Sequence, residues 1–121
     1  MGLKSYKPYT KSTRTTVLVD RKDIWKGSPF KSLTKGKTST GGRNNVGRIT
    51  SRHKGAGHKK RYRIVDFHRN KIDTTGKVER IEYDPNRSSY IALIKYEDNI
   101  RNYIICPQNI KIGDSVVSGL N

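Results

Sequence analysis

The sequence predicts an all-β fold: a small five-stranded barrel over residues 61–121, preceded by a long, basic and largely irregular N-terminal extension over residues 1–60. Three observations carry that reading. From Ile24 to Val65 the chain runs 42 residues without Asp or Glu while carrying twelve Lys or Arg. Glycine recurs at positions 36, 41, 42, 47, 55 and 57, which opposes a stable helix. Past Lys60 the pattern changes to short apolar–polar alternations divided by Asp, Asn, Gly and Pro, the signature of strands and turns.

Residues 1–23 mix Lys, Tyr, Thr and Ser, and their apolar stretch Val17-Leu18-Val19 is too short to specify helix or strand by periodicity. Trp25 and Phe30 flank Gly27-Ser28-Pro29, where each ring either stacks on a base or anchors the segment to a core. Lys31 to Lys60 reads as extended loop whose glycines let backbone amides approach phosphates closely. Tyr62, Ile64 and Phe67 then share a face of the first strand, and Asp73-Thr74-Thr75-Gly76 turns the chain. Val78 to Tyr83 is the second strand, closed by Asp84-Pro85-Asn86-Arg87, with Pro preset for the second position of a type I turn. Tyr90 to Tyr96 is the third, with Ile91 and Leu93 opposing Tyr90, Ala92, Ile94 and Tyr96. Glu97-Asp98-Asn99 turns into Tyr103 to Cys106, and Ile110 to Val117 completes the set around Gly113-Asp114. Five short strands at this spacing fit an OB-fold-like (oligonucleotide-binding) barrel, with a five-strand sandwich as the alternative.

Charge divides the chain in the same place. Residues 1–60 hold 16 basic and 2 acidic side chains and residues 61–121 hold 10 and 8, so the first half carries +14 of the formal +16. A folded domain normally mixes both signs, and a one-signed block of this length requires an external polyanion. Nucleic acid is the first expectation, ahead of an anionic membrane or an acidic protein. Poor in apolar residues, the extension is expected to order only around its partner. The hydrophobic content of 31% allows one modest core. Cys106, the single cysteine, reads as a small buried hydrophobe, and without a disulfide framework a reducing compartment fits. No apolar run approaches the ~20 residues that cross a bilayer, and no membrane partner is expected. Tyr6 stands where a myristoylation start needs Ser or Thr.

The stretch TGGRNNVGRITSRHKGAGHKKRYR interleaves Arg and Lys with Gly, Ser, Thr and Asn, offering charged and neutral donors to phosphates. RNA is favoured over DNA, because no basic helix, zinc finger or helix-turn-helix pattern supplies a major-groove reader. Asn44, Asn45 and Asn70 either contact bases and sugars or form turns. His53 and His58 lack a nearby Cys, Asp or Glu to complete a metal set, and a flexible loop does not hold an acid–base pair in geometry. Gly55-Ala56-Gly57 lacks the further residues of a nucleotide-binding fingerprint. No catalytic constellation, metal site or cofactor is expected; structural Mg2+ would belong to the RNA. Asn86-Arg87-Ser88 is a chance glycosylation triplet in a turn.

The run KSLTKGKTSTGGRNNVGRITSRHKGAGHKKRYRIVDFHRNK, followed by VERIEYDPNRSSYIALIKYED, resembles the N-terminal half of ribosomal protein two of the large subunit, bacterial and organellar type. The likeness runs from Tyr6-Lys7-Pro8 to Gly113-Asp114 and is strongest at Gly41 to Asn45, Gly47 to Thr50, Arg52-His53-Lys54, Gly57-His58-Lys59 and Glu82 to Arg87. It implies an OB barrel with a basic extension, docked on large-subunit ribosomal RNA among other ribosomal proteins. The family's second half, a small barrel with a basic tail, has no counterpart in this sequence. Either the protein is split, with a separate chain supplying that C-terminal half, or the chain is a fragment; the split is expected, because Leu120-Asn121 lies past the last expected strand. Trp25-Lys26-Gly27 and Ile91 to Tyr96 are similar to the alphaproteobacterial branch of the family, the ancestry of mitochondria. The resemblance therefore implies a mitochondrial ribosome in the matrix. It also implies synthesis inside the organelle, since the likeness leaves no room for a leader; the bacterial cytoplasm is the alternative.

The expected role is structural and non-enzymatic. RNA contact is assigned to Lys35, Lys37, Arg43, Asn44, Asn45, Arg48, Arg52, His53, Lys54, His58, Lys59, Lys60, Arg61, Arg63, Arg69, Lys71 and Arg87. One rival is a free single-strand binder that stacks bases on Tyr62, Tyr83, Tyr90 and Tyr96. The other is a metal-free ribonuclease using His53, His58 and Lys59.

Overall fold

The computed structural model describes residues 2–119; Met1 and Leu120-Asn121, the end expected to pass the last strand, lie outside the described residues. Strands dominate, and α1 (Lys11–Thr15) spans only five residues. Thr10 starts it: the Thr10 hydroxyl accepts the Thr13 N–H at 3.2 Å and Thr13 Oγ1 accepts the Thr10 N–H at 2.9 Å. On either side of α1, β1 (Leu3–Ser5) and β2 (Val17–Val19) pair antiparallel, with Leu3 opposite Val19. The ambiguous Val17-Leu18-Val19 stretch is therefore a strand.

A single 3-10 turn, Lys31–Leu33, leads into β3 (Thr34–Lys37), which pairs antiparallel with β4 (Lys60–Arg63), Thr34 opposite Arg63. Backbone pairing thus crosses residue 60, and the basic segment is more regular than its composition suggests.

The main sheet is built from β5 (Gly76–Glu82), β6 (Ile91–Tyr96), β7 (Arg101–Ile105) and β8 (Ser115–Val116), antiparallel in the order β7-β6-β5-β8. A register shift between Val78 and Arg80 bends β5 against β6. Beyond β4, the chain reaches this sheet through a parallel bridge between Val65 and Tyr103, the Asp66 N–H donating to the Tyr103 carbonyl at 2.8 Å. The result is a half-barrel. The strand expected over Ile110–Val117 shrinks to two residues, because Gly113, at φ 95°, turns the chain and leaves Val78 to bond with Gly113 and Asp114 alone.

Central strand β6 sorts its side chains into two cores. Ala92, Ile94 and Tyr96 pack with Val78 and Ile104 on one face, while Ile91 and Leu93 pack with Val65 and Tyr103 on the other. Phe30 and Leu33 cover that second face, so Ile91 to Ile94 runs apolar without a water-facing position. Each full burial of this kind contributes about 1.5–3 kcal/mol. Val65 supplies the buried residue of the first expected strand, whereas Tyr62 and Phe67 are 36% and 64% exposed. Cys106 packs against the first core, where burial pushes its thiol pKa up.

Candidate nucleic-acid interface

The glycine-rich loop is tied by one residue. Gly42, at φ 76°, is buried, and its carbonyl accepts the N–H groups of Thr50 and Ser51 at 2.9 and 3.1 Å. A Cβ there would stand 2.3 Å from the Ser51 carbonyl oxygen, which is why only glycine fits. Within the knot, Arg43 bridges Ile49, and Asn44 Oδ1 accepts the Val46 and Arg48 N–H groups at 3.1 and 3.0 Å. Asn44 is thus a turn former, while Asn45 and Asn70 are exposed. A local hydrogen-bond network thus runs through the segment expected to order around its partner. Thr40, Arg43, Arg52, His53 and Lys54 line a concavity of about 640 Å3.

Lys35 and Lys37 extend from β3, Lys60, Arg61 and Arg63 from β4, and Arg43, Arg48, Arg52, Lys54 and Lys59 from the loop between them. All are exposed except Arg63, which is half-buried and donates from Nη1 to the Arg61 carbonyl at 2.7 Å. Among the described residues, no cation between Ile24 and Val65 pairs with a carboxylate. His53 and His58 are exposed in the same loop, His53 at φ 60°. Among the described residues, no three His, Cys, Asp or Glu side chains gather as a metal site requires.

Three assigned cations lie past the loop in a different setting. Lys71 pairs with Asp98 and holds that carboxyl below the usual carboxylate range. Arg87 Nε donates to the fully buried Asp84 at 2.6 Å, so its charge is already matched inside the protein. Arg69 takes φ 52° as its N–H bonds Asp66 Oδ1, and its Nε is buried without a partner.

What links the basic segment to the sheet was not legible as a site. Trp25 N–H donates to the Ile81 carbonyl at 2.9 Å, and the Arg80 guanidinium lies 4.6 Å from the Trp25 ring centroid. Phe30 N–H donates to the Tyr103 hydroxyl at 2.8 Å. Both rings therefore anchor the segment, and Phe30 enters the second core. Among the candidate stacking tyrosines, Tyr96 is buried and Tyr90 half-buried, while the Arg21 guanidinium covers Tyr83 at 4.1 Å.

An all-β chain that leaves its loop and hairpin cations without a carboxylate partner among the described residues defines a class: small, strongly basic β proteins. The sequence profile described as ribosomal proteins L2, RNA binding N-terminal domain, matches residues 30–118. The large ribosomal subunit protein uL2 of Rickettsia canadensis is 63% identical over 118 residues, 98% of this chain and 43% of that protein. Its counterparts in Granulibacter bethesdensis and Acidiphilium cryptum are 62% and 59% identical, again over 43% of their length. The chain belongs to the ribosomal protein L2 family. It spans less than half the length of the curated relatives it matches.

Proposed function

We propose that the chain is a structural, non-catalytic constituent of the large ribosomal subunit that binds and organises large-subunit ribosomal RNA. The observation that carries this reading is the run of twelve cations from Lys26 to Arg63, none matched by a carboxylate among the described residues. Such a surface gains most from a phosphate backbone that releases its counterions on contact. The contact set is the one assigned from the sequence, with the loop and hairpin cations at its centre and Arg69, Lys71 and Arg87 at its edge.

Residue 60 then divides roles: the segment before it neutralises RNA, and the strands after it supply the rigid face. We read the half-barrel, closed by the Val65–Tyr103 bridge, as an OB-like barrel of β4, β5, β6, β7 and β8. The likeness to the alphaproteobacterial branch supports a mitochondrial ribosome, with the bacterial cytoplasm as the alternative. Sedimentation of native particles tests the function: the chain should travel with the large subunit at physiological salt. Its recovery in free fractions would defeat the reading.

A further inference from the structure

Most aromatic rings of the sheet domain are occupied. Tyr96 and Tyr103 are core, Trp25 lies under Arg80, Phe30 under Arg101 at 5.3 Å, and Tyr83 under Arg21. Phe67 is the most open of these rings at 64%, against 47% for Trp25, 42% for Tyr83 and 36% for Tyr62, and it shares one guanidinium with Tyr62, Arg87 Cζ lying 5.8 Å from the Phe67 centroid and 6.0 Å from that of Tyr62.

That guanidinium is held unusually firmly. Asp84, with no exposed surface, accepts from Arg87 Nε at 2.6 Å and from the Asn86 N–H at 2.9 Å. Asn86 Nδ2 in turn donates to the Arg61 carbonyl at 2.6 Å, which fastens β4 and its Tyr62 to the same turn. With its charge matched by a buried carboxylate, Arg87 offers a planar face more than an attraction for phosphate. An aromatic ring as open as Phe67 beside such a plane is a surface that a flat, uncharged π-system fits. Arg61 belongs to the unmatched cationic run beside it and can meet the backbone that carries such a group.

We propose that Tyr62, Arg87 and Phe67 form a stacking platform for an unpaired RNA base, a single-stranded element received alongside the phosphate contacts of the loop. The platform rests on the RNA-binding reading above. Stacking contributes affinity that is nearly independent of salt, unlike contacts to phosphate.

The test uses the full chain with two probes, an oligoadenylate of about ten nucleotides and an RNA duplex of equal length, titrated over a range of salt. Phe67→Ala should weaken the oligoadenylate by about 5- to 150-fold, spare the duplex and leave the salt slope unchanged. Phe67→Trp should restore binding, and Tyr62→Ala should weaken the same probe in the same direction. Thermal melting checks that the variants fold, which the exposure of Phe67 favours. If Phe67→Ala and Tyr62→Ala bind oligoadenylate like the parent while Arg48→Ala/Arg52→Ala weakens both probes, the platform is wrong and the RNA reading stands. Equal loss on both probes with a shallower salt slope also overturns it. So does a loss seen only against a neighbouring ribosomal protein, which would make Phe67 a protein contact. A parent chain that binds neither probe at low salt sinks platform and RNA reading together.

Discussion

The Tyr103 hydroxyl donates to Glu82 Oε2 at 2.9 Å inside the sheet, with Tyr103 fully buried and Glu82 only 3% exposed. The same hydroxyl accepts the Phe30 N–H, and Arg80 Nε holds the other Glu82 oxygen at 2.6 Å. One phenol therefore fastens the front of the basic segment to two strands of the half-barrel. The start of the basic segment is thereby tied to the buried interior of the sheet.

Alkaline pH should release that fastening. Burial, the largest cause, pushes the Tyr103 pKa from 10.0 up to about 12, so the folded state favours the protonated phenol. Its contribution is complete below the unfolded value near pH 10 and is lost as pH rises through about 12. Tyr103→Phe should cost about 1–3 kcal/mol at neutral pH, since the Phe30 N–H and a Glu82 oxygen each lose a buried partner. The melting gap between parent and variant should close from about pH 10 upward, and a gap constant to about pH 12 would contradict the assignment.

Gly42→Ala should damage the loop while sparing the sheet. The new methyl meets the Ser51 carbonyl at 2.3 Å and the backbone keeps φ 76°, so the knot that closes Gly42 on Thr50 and Ser51 must open. Hydrogen exchange should rise at the Thr50 and Ser51 amides, and RNA affinity should fall several-fold. The melting transition of the sheet should move little. Unchanged exchange at those amides would show that the loop does not depend on this glycine.

The central strands of the main sheet and their turns were legible because each had local chemistry behind it. Asp84-Pro85-Asn86-Arg87 announced its turn, and the alternation of Tyr90 to Tyr96 gave the two faces of β6. What stayed hidden depended on distant partners. Nothing near Lys35 shows that Thr34 to Lys37 pairs with Lys60 to Arg63 across more than twenty intervening residues, and composition alone made that segment look irregular. Leu33 looks like a loop residue until the second face of β6 needs a cover, and of the two roles open to Phe30, stacking or anchoring, the same face takes the anchor. The cations of the site were legible as a charge imbalance, yet sequence could not separate Arg87, matched by Asp84, from Arg48, which is matched by no carboxylate among the described residues.

Asp84→Ala should be among the most destabilising single changes in the chain. It strips a half-buried Arg87 of its carboxylate and leaves the Asn86 N–H without its acceptor. Removing one member of a buried pair costs about 3–5 kcal/mol. Asp84→Asn, which keeps an oxygen for the turn, should lose less. Equal and small losses, read by chemical denaturation, would mean that the pair does not hold the β5–β6 turn.

Arg48→Ala/Arg52→Ala separates charge from architecture. Both side chains are exposed on the loop, neither makes a side-chain hydrogen bond among the described residues, and neither touches the two cores. Their removal should therefore leave the melting transition within about 0.5 kcal/mol of the parent. RNA affinity should fall, and the slope of log affinity against log salt should flatten by about one to two, the signature of two lost phosphate contacts. The comparison with Tyr103→Phe is informative because that change acts on the fastening of the segment and leaves its cations in place. Tyr103→Phe should lower stability with the salt slope intact, and the double arginine change should do the reverse. Should the arginine pair instead unfold the sheet, the loop would be part of the core structure, and its unmatched charge would need a different explanation from RNA.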